Sequence, residues 1–268
     1  MTRSLPGPTL GTVTQRMADG SAGDADYGRI GQVYNDYRIP DPRIGRLITD
    51  AMGDAGTVLN IGAGTGAYEP ADRDVTAVEP SASMRARRPA TRPAIDATAE
   101  DLPFPANAFD AAMATFTVHQ WSNPHAGLRE LRRVTRGPVV ILTGDPALVH
   151  RFWLSDYAPE VLDTEARRYP AMAELADALG GAVDVAAVPI PIDCTDGFNE
   201  AYYARPHRLL DPGARQACSA WSFVDQDAHE KFTAALGRDL DDGTWDRRYG
   251  HLRAQPTFEG SLALVVAH

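Results

Sequence analysis

Three sets of residues in this chain have the type and spacing to do chemistry. The first is the stretch from Thr57 to Pro70, TVLNIGAGTGAYEP, an apolar run that stops at Gly62, Gly64 and Gly66. Glycines at such a turn let the backbone take positive φ and approach a ligand closely. Glu79 closes the next apolar run, where an acid is expected to accept hydrogen bonds from ribose hydroxyls. The second set is His119, Gln120 and Trp121, after a run ending in Thr115 and Phe116. A histidine with an ordinary pKa of about 6.5 suits proton removal near neutrality, and it equally suits a structural role. The third is DCTDGFNEAYYARP, in which Asp193, Tyr202 and Tyr203 are candidate contacts for a second substrate and, equally, turn and packing residues. Asp145 is a further candidate pocket wall.

The elements that must position these residues follow from periodicity. Asp41-Pro42 opens a helix with Ile44, Leu47, Ile48 and Met52 expected on one apolar stripe, stopped by Gly53 and Gly56. Strands are expected at 57–61, 75–79, RPAIDA, FDAAMATFTV and PVVILTG, with a helix starting at Asn123-Pro124 between the last two. Strands alternating with helices mean βαβ units and a parallel sheet. A sixth strand is expected near 182–192 (AVDVAAVPIPI) and a last one at SLALVVAH, with helical pieces at 146–180, 211–223 and 227–240. The expected division is a tail (1–25), an N-terminal helical lid (26–56), a cofactor-binding core (57–145), a helical cap (146–260) and a closing strand (261–268).

Composition excludes some classes. The 268 residues are 44% hydrophobic and 23% charged, as in an ordinary globular chain. The net charge of −10 argues against nucleic acid, whose binding relies on clustered Lys and Arg. No run approaches the ~20 apolar residues of a membrane helix. The first twenty residues lack an apolar signal core, so the expectation is a cytoplasmic enzyme, monomeric or homodimeric, with a small-molecule substrate. Cys194 and Cys218 have no metal-ligand spacing, and no metal is expected.

The glycine turn alone leaves two cofactors open. Gly62, Gly64 and Ala67 fit the dinucleotide pattern G-x-G-x-x-G/A, and Gly62, Gly64 and Gly66 fit the G-x-G-x-G loop of enzymes that use S-adenosylmethionine (SAM). Only Tyr68 to Asp74 separate Ala67 from the second strand, and Pro70 interrupts them. That is short for the full helix a pyrophosphate wants. A third block, ATAEDLPFPANAFDAAMATFTVHQW at 97–121, resembles the A-E-x-L-P-F-x-x-x-x-F-D block of class I SAM-dependent methyltransferases. The similarity is to the type 11 group, which includes ubiquinone- and menaquinone-biosynthesis-type enzymes. With VLNIGAGTG and VTAVEPSASM in the same order, it spans about residues 34–145.

The resemblance implies a Rossmann-like sheet, mostly parallel with an antiparallel last strand, and a SAM cofactor converted to S-adenosylhomocysteine. It implies that Gly62, Ala63, Gly64 and Gly66 border the cofactor, Glu79 holds the ribose, Met84 packs on the adenine, and Ala99 and Glu100 lie along its edge. Thr115 and Phe116 would pass under the methionine part, and Tyr34 and Arg38 would meet its carboxylate. Asn60 replaces the acidic residue common at this place and is expected to keep contacts to the loop or the SAM amine. His119 is then the candidate base, and Gln120 and Trp121 are acceptor contacts. The implied reaction is methyl transfer to oxygen, nitrogen or carbon of a small molecule, in bacterial specialised or cofactor metabolism. Cyclisation with release of methylthioadenosine, non-catalytic SAM binding and a nicotinamide-dependent reductase are the alternatives.

Overall fold

The computed structural model describes residues 35–268. Tyr34 and most of the helix expected around it lie outside the described residues.

Seven strands form one sheet: β1 (Thr57–Ile61), β2 (Asp74–Val78), β3 (Ala94–Ile95), β4 (Ala111–Thr115), β5 (Val139–Gly144), β6 (Val183–Ala187) and β9 (Leu262–Ala267). Their order is β3-β2-β1-β4-β5-β9-β6. Strands β1 to β5 pair in parallel, and β9 runs antiparallel to both β5 and β6. Strand order reverses between β1 and β4, so the carboxyl ends of these two strands flank the crevice where ligands bind in such sheets.

Each strand carries apolar residues on both faces, as a parallel sheet covered by helices requires. In β5, Val140 and Leu142 enter one core and Val139 and Ile141 the other. The first core also holds Ile44 and Ile48 of α1 (Pro42–Ala51). Asp41 caps α1 by accepting from the Arg43 N–H at 2.9 Å, and Pro42 needs no donor at the first position. Leu47 is 40% exposed and leaves the expected stripe, since its position has turned away from Ile44 and Ile48. The second core receives Leu128, Leu131 and Val134 of α3 (Pro124–Val134), which follows the four-residue α2 (Ala82–Arg85).

The expected sixth strand is two. It breaks after β6, and β7 (Ile190–Pro191) pairs instead with β8 (Thr257–Phe258) in a separate two-stranded sheet. Pro189 lies at the break, where a missing N–H cannot continue the β9 ladder. The other expected strand bounds shrink too: RPAIDA contributes two residues, and FDAAMATFTV ends as strand at Thr115. Between β5 and β6 lie α4 (Pro159–Arg168) and α5 (Met172–Leu179). Between β7 and β8 lie α6 (Pro212–Gln216), α7 (Gln226–Asp241) and α8 (Thr244–Tyr249). Among the described residues, no helix is long and apolar enough to cross a membrane, and no cluster of three His, Cys, Asp or Glu could hold a metal.

Candidate active site

The glycine loop continues β1 directly, and no helix forms between β1 and β2. Gly62 sits at φ +61°, and a Cβ there would lie 1.9 Å from Thr117 Oγ1, so only glycine fits. The loop is tied to β2 by Glu79, whose Oε2 accepts from the Gly64 N–H at 2.8 Å while Oε1 accepts from the Ser81 N–H at 2.8 Å. Burial raises the Glu79 pKa above the ordinary carboxylate value.

A cleft with about 770 Å³ of empty space opens over this loop. Gly62, Ala63, Gly64, Glu79, Met84 and the Ala99–Glu100 pair line it, together with Thr115, Phe116, Gln120 and Trp121. These are eleven of the residues that the sequence suggested, brought together from β4, α2 and the loops after β1, β2, β3 and β4. Gly66 stands behind the loop, where an added Cβ would meet Glu69 and Arg88. Glu100 Oε1 accepts from the Asn123 N–H at 3.0 Å, and its buried Oε2 has no partner among the described residues. An unpaired buried acceptor suits an amino group on a ligand, such as that of adenine. The cleft therefore fits SAM on its own chemistry.

Phe116 takes φ +53°, a costly conformation for a bulky residue and one that tends to occur at functional sites. Phe116 lines both this cleft and an inner cavity. The inner cavity is bounded by Phe116, His119, Glu165, Tyr169, Phe198 and Asn199, with Arg38, Ala217, Cys218 and Ser219 completing it. Arg38 lines this inner cavity and not the SAM cleft. Its guanidinium stacks on Phe116 at 4.8 Å and pairs with Asp196 at 2.5 Å. Asp196 also accepts from Tyr68 at 2.9 Å.

His119 sits in a single 3-10 turn (Val118–Gln120) with its ring 4.9 Å from that of Tyr169, edge to face. Burial, and next the charges of Arg168 and Arg38, hold its pKa well below the usual 6.5, so the ring is neutral at physiological pH. Its buried Nδ1 has no hydrogen-bond partner among the described residues. Gln120 Oε1 accepts from Arg168 at 2.7 Å, and Trp121 packs its ring against Gly127 while its N–H reaches Thr117 at 3.2 Å.

Several other expected site residues are elsewhere. Asn60 is buried under the loop, not in the cleft; its Nδ2 donates to Glu69 Oε1 at 3.0 Å. Asp145 accepts from the Ala147 N–H and shapes a turn. Asp193 is exposed and pairs with Arg43 at 2.7 Å. Tyr202 is in the core, and Tyr203 is fully buried, stacked on Phe258 with its hydroxyl donating to the Gln255 carbonyl at 2.6 Å. A loop hydrogen bond, turn formation, an ion pair and packing account for these five.

Glu165, Tyr169 and Asn199 did not stand out in the sequence. Glu165 lies in the charged run DTEARR, which resembles a solvated helix face. The one available signal was helical spacing: from the buried Val161 and Leu162, the same face reaches Glu165 and Arg168. Burial, and next the charge of Glu200, raise the Glu165 pKa to about 7.

Residues 59–141 match the family model described as "Methyltransferase domain". Over these residues, from within β1 to within β5, the chain is similar to SAM-dependent methyltransferases. A demethylmenaquinone methyltransferase of Renibacterium salmoninarum is 38% identical over 100 residues, covering 34% of this chain and 42% of the relative. The 2-methyl-6-phytyl-1,4-hydroquinone methyltransferase 1 of rice chloroplasts is 40% identical over 65 residues, covering 24% and 19%. The match thus spans less than half the length of either relative. An Anabaena variabilis structure, described as a "putative methyltransferase from antibiotic biosynthesis pathway", is 29% identical. It superimposes with a TM-score of 0.81 over 87% of this chain and 99% of its own.

Proposed function

We propose that this chain transfers the methyl group of SAM to a small molecule held in the inner cavity. One observation carries the reading: Phe116 lines both the glycine-loop cleft and the inner cavity, so a donor and an acceptor can meet there. Gly62, Ala63, Gly64 and Glu79 would hold the loop-facing part of SAM, Met84 and Ala99 its adenine, and Glu100 Oε2 the adenine amine. Bound there, SAM supplies an electrophilic methyl carbon. The protein's part is then to fix the acceptor in line with that carbon and to exclude water. The Phe116 backbone, held away from its preferred conformation, sets its ring where both chambers touch it. Neutral His119 offers the inner cavity a hydrogen bond, and its low pKa makes it a poor proton acceptor. The metabolic setting that fits the relatives is bacterial specialised or cofactor metabolism, with a quinol-like or similarly compact acceptor.

Calorimetry with SAM and NADH, followed by analysis of nucleoside products, tests this. Saturable SAM binding, and S-adenosylhomocysteine formed only when an acceptor is present, are expected. Methylthioadenosine formed without an acceptor would replace transfer by cyclisation, and NADH binding in place of SAM would end the reading.

A further inference from the structure

The inner cavity contains groups that methyl positioning alone does not need. Its walls combine the rings of Phe116, Phe198, Tyr169 and His119 with the carboxyl group of Glu165. No Leu, Ile or Val lines it among the described residues. A long isoprenoid chain, such as the phytyl group in the rice relative's name, needs a continuous apolar channel, and here Arg38, His119, Glu165, Asn199 and Ser219 interrupt the lining. Flat aromatic walls with polar groups between them suit a compact ring.

The charges indicate which nucleophile that ring carries. Asn199 Nδ2 donates to Glu165 Oε1 at 2.8 Å, leaving Oε2 as the oxygen for a ligand. The neighbouring acid, Glu200, is already engaged, accepting from the Ser261 N–H at 2.8 Å through Oε1 and at 3.0 Å through Oε2. Two guanidiniums act on the cavity. Arg38 stacks on Phe116, and Arg168 binds Gln120 and Ser219 at 2.7 and 3.0 Å. Their charges reach His119, Glu165 and Tyr169 alike. Such a field stabilises a developing oxyanion and opposes an ammonium.

We infer, building on the methyl-transfer reading above, that the acceptor is a compact phenol or enol without an isoprenoid tail, and that Glu165 takes its proton. The O–H bond breaks and its proton passes to Glu165 Oε2. An oxygen lone pair forms the new bond to the methyl carbon. The carbon–sulfur bond breaks with its electron pair left on sulfur, giving the methyl ether and the neutral thioether. Asn199 is the positioning residue that orients the carboxylate. Burial, Glu200 and the two guanidiniums place Glu165 close to neutral pH, where a base works best.

The test uses the full chain, S-adenosylhomocysteine and 4-nitrophenol, whose absorbance reports its own ionisation, with 4-nitroaniline as the neutral counterpart of similar shape. Wild-type protein is expected to bind 4-nitrophenol at least tenfold more tightly than 4-nitroaniline. The bound phenol should ionise at least one pH unit below its value in buffer. Glu165→Gln should bind SAM within twofold of wild type and keep that shift, which comes from the guanidiniums. Yet at about pH 8.5 it should bind 4-nitrophenolate without the uptake of about one proton expected of wild type, read by calorimetry in buffers of different ionisation enthalpy. Equal proton uptake in Glu165→Gln, equal binding of the aniline, or no saturable binding of 4-nitrophenol would each overturn the inference. If Glu165→Gln fails to fold, the wild-type shift and the phenol-to-aniline ratio decide it. SAM binding is measured separately, so failure of the cofactor reading is told apart from failure of this one.

Discussion

At the scale of single residues, the departure at Asn60 has a structural account. An aspartate in its place would stand about as close to Glu69 as the present 3.0 Å hydrogen bond, and would lose the donor that Glu69 now accepts from. Asn60→Asp should therefore still bind SAM, because position 60 does not line the cleft. It should nevertheless lower stability by about 1–3 kcal/mol, the cost of a buried carboxylate facing a second one. Urea denaturation gives the loss, and the double variant Asn60→Asp/Glu69→Gln should recover most of it. No recovery would show that Glu69 is not the partner that matters. The residues legible in the sequence were those whose role is fixed locally: Gly62 by its backbone, Glu79 by its place at a strand end. Glu165 was not legible, because its role depends on Asn199, Glu200 and Arg168, and only the fold brings the first two beside it.

At the scale of elements, the connection from β1 to β2 poses a question that the sequence raised and the structure answers. Without a helix there, the loop is held by a buried ion pair between Arg88, beyond α2, and Glu69, both 2% exposed at their side chains. Arg88 also donates to the Gly64 carbonyl at 3.3 Å and the Arg92 carbonyl at 2.8 Å. Arg88→Met should cost about 3–5 kcal/mol, since it strands a buried carboxylate. Arg88→Met/Glu69→Met should recover only part of that: apolar pairs of similar volume replace buried ion pairs at little cost, but Asn60 Nδ2 loses its acceptor. SAM affinity should stay at least tenfold weaker in both, because the carbonyls of the glycine loop have lost their donor. Denaturation and calorimetry on the two variants separate stability from loop position; equal recovery of both would reduce the pair to a packing role. Element types were legible where hydrophobic period and cap residues agreed, as in α1 and α3. The division of β6 from β7 was missed because eleven apolar-rich residues look like one strand, and only the ladder with β9 makes Pro189 decisive.

At the scale of the whole molecule, topology was the most legible property, since alternating strands and helices leave few ways to build a covered parallel sheet. The acceptor chamber was the least legible, because segments around residues 38, 116, 165 and 198 meet only after folding. That chamber makes stability depend on pH in two opposite senses. Glu165 and Glu200 have pKa values raised to about 7, so the folded chain keeps protons that the unfolded chain releases from about pH 4.5. Their contribution is therefore complete below about pH 4.5 and is lost as pH rises to about 7. His119 has a lowered pKa, so its contribution is present above about pH 6.5 and is lost as pH falls. Glu165→Gln should flatten the decline between pH 5 and 7, improving on its own pH 5 stability, relative to wild type, by up to about 3 kcal/mol at pH 8. His119→Gln should act on the other limb, gaining relative to wild type as pH falls from 6.5 to 5. Urea midpoints at half-unit pH steps measure both. If the two variants changed the profile in the same direction, the carboxyl and imidazole groups would not be buried in the protonation states that the acceptor chemistry requires.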